Sequence, residues 1–200
     1  MKKIILASRS IDRSELFNRL NISFEALNTQ INESEYKERI SAPIELVKEL
    51  AKVKVLKAKE MLVNEEKGTV VIAADTIVEL NGKIIGKAQN EAEAFQMLKC
   101  LVNRSHNLIT GIAITEIGDS KIIIDYDITI VTLLDLSDED IRNYIRIGEW
   151  KGRAGAYSSR DRASLFIKEI QGSPSNVIGL PMQKIFEILK KEFNLNLFEC

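Results

Sequence analysis

The feature that most constrains the fold is a β-type run, Thr69–Leu80, that ends at the dipeptide Asn81-Gly82. Valine, isoleucine and alanine dominate the run, and Asn-Gly is the strongest short-range signal for a two-residue hairpin turn. Ile84–Ile85 would then return as the second strand. Because segments with helical spacing of apolar residues lie on both sides of this hairpin, the chain has to combine a sheet with helices.

The other segments alternate between these two types of structure. Further strands are predicted at Ile4–Ala7, Ile22–Leu27, Leu108–Ile117, Lys121–Leu134 and Leu165–Ile170. Helices are predicted from Ser10 to about Leu20 and over Pro43–Leu62, Asn90–Leu101, Ser137–Ile147 and Pro181–Phe193. The segment Asn28–Ser41 is polar and is predicted to be a loop. This mixed order, with its hairpins, predicts an α/β fold whose sheet is partly antiparallel.

The composition is that of an ordinary globular chain, with 200 residues of which 45% are hydrophobic. We expect one domain over residues 1–200. The 28 basic and 29 acidic residues give a net charge of −1, so no overall field attracts nucleic acid or an anionic membrane. No signal peptide and no run of about 18 apolar residues is recognisable. Cys100 and Cys200 have neither metal-ligand nor disulfide spacing, and a cytoplasmic location is the expectation.

Two charged residues fall where packing favours apolar side chains. On a helical wheel Lys54 lies near the middle of the apolar arc of Pro43–Leu62, and Asp75 interrupts the apolar β run. Burial disfavours both charges, so Lys54 needs an anionic partner, either a substrate phosphate or a protein carboxylate, unless it extends along the apolar surface to water. Asp75 would be tolerated as a metal ligand or a base, or as a carboxylate bound by neighbouring N–H groups.

The segment Ser8–Arg13 joins a predicted strand to a predicted helix. The free N–H groups and partial positive charge of a helix N-terminus suit a phosphate. Ser8 and Ser10 can add hydroxyl donors, and Arg13 can add a planar, bidentate donor. The same residues also fit a simpler interpretation, in which Ser10 is only an N-cap and Arg13 is a solvated helix residue.

Lys87 is expected near the open end of the hairpin. A two-residue turn pairs Leu80 with Lys83 and therefore Thr76 with Lys87. Lys87 would then lie one step from Asp75, but strict register puts these two side chains on opposite faces of the sheet. A bulge or a longer turn would be needed to bring them together.

Three further kinds of residue are weaker candidates. Glu33 lies in the polar segment and by position alone resembles an ordinary solvated acid. His106 is the only histidine, and a single histidine is more often a hydrogen-bonding residue than a ligand or base. Trp150 and Tyr157 flank a loop of small residues, where an aromatic ring either stacks on a base or packs in the core.

Six segments, spread along nearly the whole chain, form a recognisable series. In order they are LASRSIDRSEL, ELAKVKV, VIAADTIVELNGKIIGKA, RSHNLITGIAI, GEWKGRAGAY and SNVIGLP. Together they resemble the motifs of the Maf family of nucleotide pyrophosphatases. The resemblance implies an elongated mixed sheet with flanking helices in two lobes around a cleft, similar to inosine-triphosphate pyrophosphatases. It also implies hydrolysis of a nucleoside triphosphate to a monophosphate and pyrophosphate, with a divalent cation, Mg²⁺ or Mn²⁺, and often a homodimer.

The resemblance also implies roles for single residues. Asp75 looks like the catalytic acidic residue of the family, and Glu33 would share a metal ion with it. The basic and hydroxyl residues on positions used for phosphate or catalysis are Ser8, Arg13, Lys54 and Lys87.

Three positions associated with base preference give a mixed picture. Where the family usually has proline and arginine in the first loop, this chain has Ile11 and Asp12. Arg160 stands where the thymidine/uridine branch commonly has glutamine, whereas Thr76 matches that branch. We therefore expect Asp12, Thr76 and Arg160 to contact a nucleotide whose base stays open, with non-canonical and pyrimidine nucleotides as candidates. The altered first loop keeps one alternative, a nucleotide-binding cell-division regulator with little turnover.

Overall fold

The computed structural model describes residues 2–199, and it confirms the predicted α/β class. The strands are β1 Ile4–Leu6, β2 Glu25–Ala26, β3 Val70–Leu80, β4 Lys83–Ile85, β5 Ser105–Glu116, β6 Ile122–Leu133 and β7 Ile167–Gln171. The helices are α1 Ile11–Arg19, α2 Glu33–Arg39, α3 Pro43–Met61, α4 Glu91–Leu101, α5 Asp138–Ile147, α6 Pro174–Val177 and α7 Met182–Glu192. Short 3-10 helices cover Arg162–Phe166 and Leu197–Glu199. Cys100 is an exposed free cysteine, whereas Cys200 lies outside the described residues.

The strands form one mixed sheet in the order β2-β1-β3-β5-β6-β7, with β4 paired to β3. β1 is parallel to both β2 and β3, whereas the β3–β4 and β6–β7 pairs are antiparallel. The predicted two-residue turn is confirmed, because Leu80 pairs with Lys83. Asn81 and Gly82 have φ angles of 51° and 81°, the left-handed backbone that this tight turn requires.

Lys87 does not take the predicted place in the hairpin. β4 ends at Ile85, and Lys87 forms an isolated antiparallel bridge with Ala154. The Gly155 N–H donates to the Gly86 carbonyl at 3.0 Å. The chain after β4 therefore pairs with the small-residue loop instead of continuing along β3, so the expected pairing of Lys87 with Thr76 is wrong.

Two other local predictions also needed correction. The polar segment contains α2, which buries no side chain. It therefore lacks the apolar period that marks a helix in a sequence. Leu165 belongs to a 3-10 helix, and β7 begins only at Ile167. The apolar run did not reveal this 3-10 helix, because a short apolar run is compatible with both a helical turn and a strand.

The chain folds into two compact units, each built from separate stretches of sequence. Unit 1 comprises the residues up to Asp75, Thr110–Asp127 and the residues from Gly179 onward. Unit 2 comprises Thr76–Ile109 and Ile128–Ile178. The expectation of one domain over residues 1–200 stays a prediction. Within residues 2–199, we find no helix that combines the length and the apolar character needed to cross a membrane.

In unit 1 the two faces of β3 pack into two different apolar clusters. Val70 and Ile72 belong to one cluster, together with Phe17 of α1 and residues of α7. Val71 and Ala73 belong to the other. The α3 side chains in that second cluster are Ala51, Val55 and Ala58. Because side chains alternate along a strand, Asp75 lies on the same face of β3 as Val71 and Ala73, the face that packs against α3.

Helix α3 and strand β5 approach each other very closely in unit 1. A Cβ atom added at Gly111 would lie 2.3 Å from the carbonyl carbon and oxygen of Val47. Only glycine fits there, because the atoms in the way are backbone and cannot rotate aside. This contact holds α3 directly against the sheet.

Unit 2 has a core of its own. It includes Val78 of β3, Leu98 of α4 and Ile141 of α5. Trp150 and Tyr157 are 4% and 5% exposed and belong to the same cluster. Both rings therefore pack in the core of this unit.

Candidate functional site

The central feature of unit 1 is a lysine held between two carboxylates. Lys54 Nζ lies 2.6 Å from Asp75 Oδ1 and 2.9 Å from Glu33 Oε1. The Lys54 side chain is 12% exposed, that of Asp75 9% and that of Glu33 31%. The prediction that Lys54 requires an anionic partner is thus confirmed. Of the alternatives, the chain supplies protein carboxylates.

The local sequence explains why these three residues meet. Lys54 follows Ala51 by three residues and precedes Ala58 by four, so all three lie on the sheet-facing side of α3. Asp75 lies on the facing side of β3. Glu33 is the first residue of α2, the helix that the sequence did not reveal. Its carboxylate also pairs with Lys37, one helical turn later, at 3.1 Å.

Arg13 is buried beside this cluster, and two of its hydrogen bonds go to backbone carbonyls. Its Nε donates to the Gly179 carbonyl at 2.7 Å, and its Nη1 donates to the Ala74 carbonyl at 2.9 Å. Only 8% of the residue is exposed. The solvated-residue interpretation is therefore wrong. Because Ala74 directly precedes Asp75, Arg13 also fixes the strand that presents the catalytic candidate.

The first loop is organised by serine hydroxyls. The Ser8 hydroxyl accepts from the Ser10 N–H at 3.1 Å and from Arg13 Nη1 at 3.2 Å. The Ser10 hydroxyl accepts from the Arg13 N–H at 3.5 Å, so Ser10 is the N-cap of α1 as predicted. Asp12 lies buried in the first turn of the same helix. Ser8 keeps its hydroxyl hydrogen as a donor for a ligand.

The charges of the cluster balance one another, with Glu33 and Asp75 opposite Lys54 and Arg13. Burial opposes the ionisation of Glu33, but Lys54 and then Lys37 outweigh it and lower the pKa of Glu33 to about 2. Burial lowers the pKa of the Arg13 guanidinium, while Asp75 and Glu33 act in the opposite direction. Glu33 is therefore ionised near neutral pH, and arginine keeps its charge in proteins.

The two carboxylates of the cluster would supply part of the coordination shell of a magnesium-type cation. Glu33 and Asp75 offer carboxylate oxygens around the same lysine nitrogen. Within the described part of the chain, no group of three or more histidine, cysteine, aspartate or glutamate side chains could hold a metal. Mg²⁺ commonly uses one or two carboxylates and takes its other ligands from water and substrate phosphates. The pair is therefore suited to a cation that arrives with a phosphate ligand.

The other predicted site residues belong to unit 2. Thr76 follows Asp75 in β3 and is half-buried. Lys87 is exposed beside its bridge with Ala154, and Arg160 is half-buried in the loop after Tyr157. Unit 1 thus contains Ser8, Asp12, Arg13, Glu33, Lys54 and Asp75. The roles of these residues and of those in unit 2 stay predictions.

His106 forms a second buried polar group, within unit 2. Its Nε2 lies 2.7 Å from the Tyr157 hydroxyl, and the two rings meet edge to face at 5.6 Å. The histidine is 3% exposed, and burial lowers its pKa to about 4. Burial likewise raises the pKa of Tyr157. Both residues are neutral near pH 7, which agrees with the prediction of a hydrogen-bonding histidine.

Known proteins resemble this chain over almost its whole length. The family described as Maf-like protein matches residues 3–192. The chain belongs to this family. It is 44% identical over 194 residues, 96% of this chain and 90% of the relative, to a protein of Caldanaerobacter subterraneus subsp. tengcongensis named dTTP/UTP pyrophosphatase. The Maf-like relative from Alkaliphilus oremlandii carries the same name and is 43% identical over 98% of this chain and its own full length. A Clostridioides difficile relative of that name is 37% identical, with 98% and 97% of the two chains covered.

Sequence reasoning missed two structural contributions to the site. The carbonyl groups of Ala74 and Gly179, which hold Arg13, carry no side-chain signal. Gly111, where α3 meets β5, was visible only as a glycine inside the predicted strand Leu108–Ile117. A glycine inside a strand is a signal for close backbone approach, and that signal was available.

Proposed function

We propose that this Maf-like chain hydrolyses nucleoside triphosphates to monophosphate and pyrophosphate, with dTTP and UTP as preferred substrates. The observation that carries the proposal is the cluster in which Lys54 lies between the buried Asp75 and the partly exposed Glu33. Buried charges are unfavourable to keep, and perturbed ionisable groups concentrate at functional sites. The names of the Maf-like relatives support the same reaction and add the pyrimidine preference that the sequence left open.

In the proposed reaction, water attacks the α-phosphorus and pyrophosphate leaves. Asp75 orients the water or accepts its proton, because it is the most buried carboxylate of the cluster. Lys54 turns from the carboxylates to the phosphate oxygens and neutralises charge there. Arg13 keeps the Ala74 carbonyl in place and adds a fixed positive charge. Such positioning and charge neutralisation account for most of the catalysis of phosphoryl transfer.

The further site residues complete the proposal. Ser8 donates its hydroxyl hydrogen to a phosphate oxygen, and Lys87 adds a second mobile cation. Asp12, Thr76 and Arg160 contact the nucleotide and contribute to the choice of base. Asp12 and Arg160 differ from the usual family residues, so the pyrimidine preference has to be established with this chain itself.

A divalent cation, Mg²⁺ or Mn²⁺, fits the proposal. Glu33 and Asp75 would hold it. When bound, such an ion neutralises phosphate charge and lowers the pKa of a coordinated water. We also propose a homodimer in the cytoplasm that binds neither nucleic acid nor membrane.

The test is a panel of canonical and modified nucleoside triphosphates scored for pyrophosphate with Mg²⁺ or Mn²⁺. We expect pyrophosphate and the matching monophosphate, with the highest kcat/KM for dTTP and UTP. Tight nucleotide binding without pyrophosphate from any substrate would instead support the regulator with little turnover. Higher kcat/KM for purine nucleotides would overturn the pyrimidine preference and leave the reaction intact.

A further inference from the structure

Lys54 occupies the same oxygens that a cation would need. Its Nζ lies within 2.9 Å of both Glu33 and Asp75, and those carboxylates are the ones proposed to hold the divalent ion. An ammonium group and a metal ion bind carboxylate oxygens through the same lone pairs. In this arrangement the cation-free protein already has one positive charge at the centre of the pair.

The lysine also removes the charge that would attract a cation. Two free carboxylates would present two negative charges, but Lys54 and Arg13 compensate them. A divalent ion that enters beside an ammonium group meets repulsion in a poorly screened environment. The ion can therefore bind in two ways. It displaces Lys54 from at least one carboxylate, or it binds after another anion has attracted the lysine away.

We infer that Lys54 is a built-in competitor for the divalent cation and is released when a triphosphate offers its own oxygens. This inference rests on the proposed function, because it assumes a nucleotide and a cation at this site. Lysine suits the role, since its flexible stem carries a compact charge that can change partners. The cation and the nucleotide then strengthen each other's binding, and this coupling is reciprocal. The protein thereby holds little metal until substrate is present.

The test measures Mn²⁺ affinity without nucleotide, from the electron paramagnetic resonance signal of free Mn²⁺. Lys54→Met removes the charge but keeps most of the apolar stem, and we expect it to bind Mn²⁺ at least tenfold more tightly than wild type. The matched control is Lys57→Met on the same helix, since Lys57 is exposed and pairs with Glu60. The control should bind like wild type. Equal or weaker binding by Lys54→Met would overturn the inference.

Two further variants separate charge from folding. Lys54→Gln is neutral and polar, and it should also bind Mn²⁺ more tightly if the methionine variant fails to fold. Lys54→Arg keeps the charge and should stay close to wild type. If the arginine variant gains affinity as much as the neutral ones, charge competition is not the cause.

The result is independent of turnover. If wild type releases no pyrophosphate from any nucleotide, the proposed function fails, but the Mn²⁺ comparison still reports on Lys54. If wild type is active and Lys54→Met gains no affinity, the function stands and the competition is wrong.

Discussion

The Lys54 cluster of unit 1 and the His106–Tyr157 pair of unit 2 both lie largely out of solvent, but they differ in charge. In unit 1, Lys54 joins the carboxylates of Asp75 and Glu33. In unit 2, His106 and Tyr157 share one hydrogen bond of 2.7 Å, and both are neutral near pH 7. Neutral groups need only hydrogen-bond partners to be buried, whereas charged groups also lose solvation.

This difference supports the proposal that the charged cluster carries the chemistry. Tyr157 of the neutral pair packs among the side chains of the unit 2 core, and His106 is 3% exposed. The charged cluster is less favourable to bury than a neutral pair, because its charges lose solvation. The following variants test that contrast, from the largest expected effect to the smallest.

Replacing Asp75 by asparagine should have the largest effect. Asn keeps the shape but can neither accept a proton nor form an ion pair with Lys54, so we expect kcat to fall by about 100-fold or more. Pyrophosphate release from dTTP measures this. Glu79→Gln is the matched control, because Glu79 is also a buried carboxylate of β3 but accepts from Asn107 within unit 2. Normal turnover by Asp75→Asn would remove Asp75 from the mechanism.

The packing of α3, the helix that carries Lys54, against β5 provides the second test. In Gly111→Ala the new methyl group would overlap the backbone of Val47, so α3 has to move away from β5. We expect a loss of unfolding free energy on the order of 3 kcal/mol, together with reduced turnover because Lys54 moves with the helix. Urea unfolding measures the stability. Ala113→Gly, at a buried position of the same strand, is a control that creates space without overlap. Unchanged stability in Gly111→Ala would contradict the close packing.

The sequence predicted the parts of the site that follow from local rules. The helical wheel placed Lys54 on the buried face of α3, and the apolar run marked Asp75 as unusual. The Asn81-Gly82 turn set the β3–β4 register correctly. What these rules could not supply was the pairing between distant segments.

Three results show that limit in physical terms. Glu33 reaches Lys54 from a helix that buries no side chain and therefore has no apolar period. Lys87 leaves the hairpin because the loop around Ala154 pairs with it, a contact between residues far apart in sequence. Arg13 is held by two carbonyl groups, which every residue possesses. Long-range backbone partners of this kind have no signature in residue type.

His106 should dominate the response of unit 2 to mild acid. Burial lowers its pKa from 6.5 to about 4, so the unfolded chain takes up a proton more readily and stability falls as pH drops from 6.5 towards 4. His106→Gln keeps a polar group near Tyr157 without this titration. We expect the variant to lose less stability over that range, by on the order of 1–3 kcal/mol. Denaturant midpoints at several pH values measure it. Parallel pH profiles for both proteins would rule out the assignment.

Replacing Glu33 should have the smallest effect on stability. Glu33 titrates at lower pH than His106, and the folded protein favours its charged form, whereas it favours the neutral form of His106. Its pKa falls from 4.5 to about 2 in the folded protein, so the ionised carboxylate stabilises the fold at and above pH 4.5. That contribution is lost as pH drops from 4.5 to 2. Because the side chain is partly exposed, solvent screens the pairs, and Glu33→Gln should lower stability at pH 7 by about 1 kcal/mol or less. The difference from wild type should shrink below pH 4.5. It should stay constant between pH 5 and 6.5, a range in which the His106 contribution already changes. If the difference disappeared in that upper range instead, the two groups would share one titration, and the contrast between a charged cluster and a neutral pair would not hold.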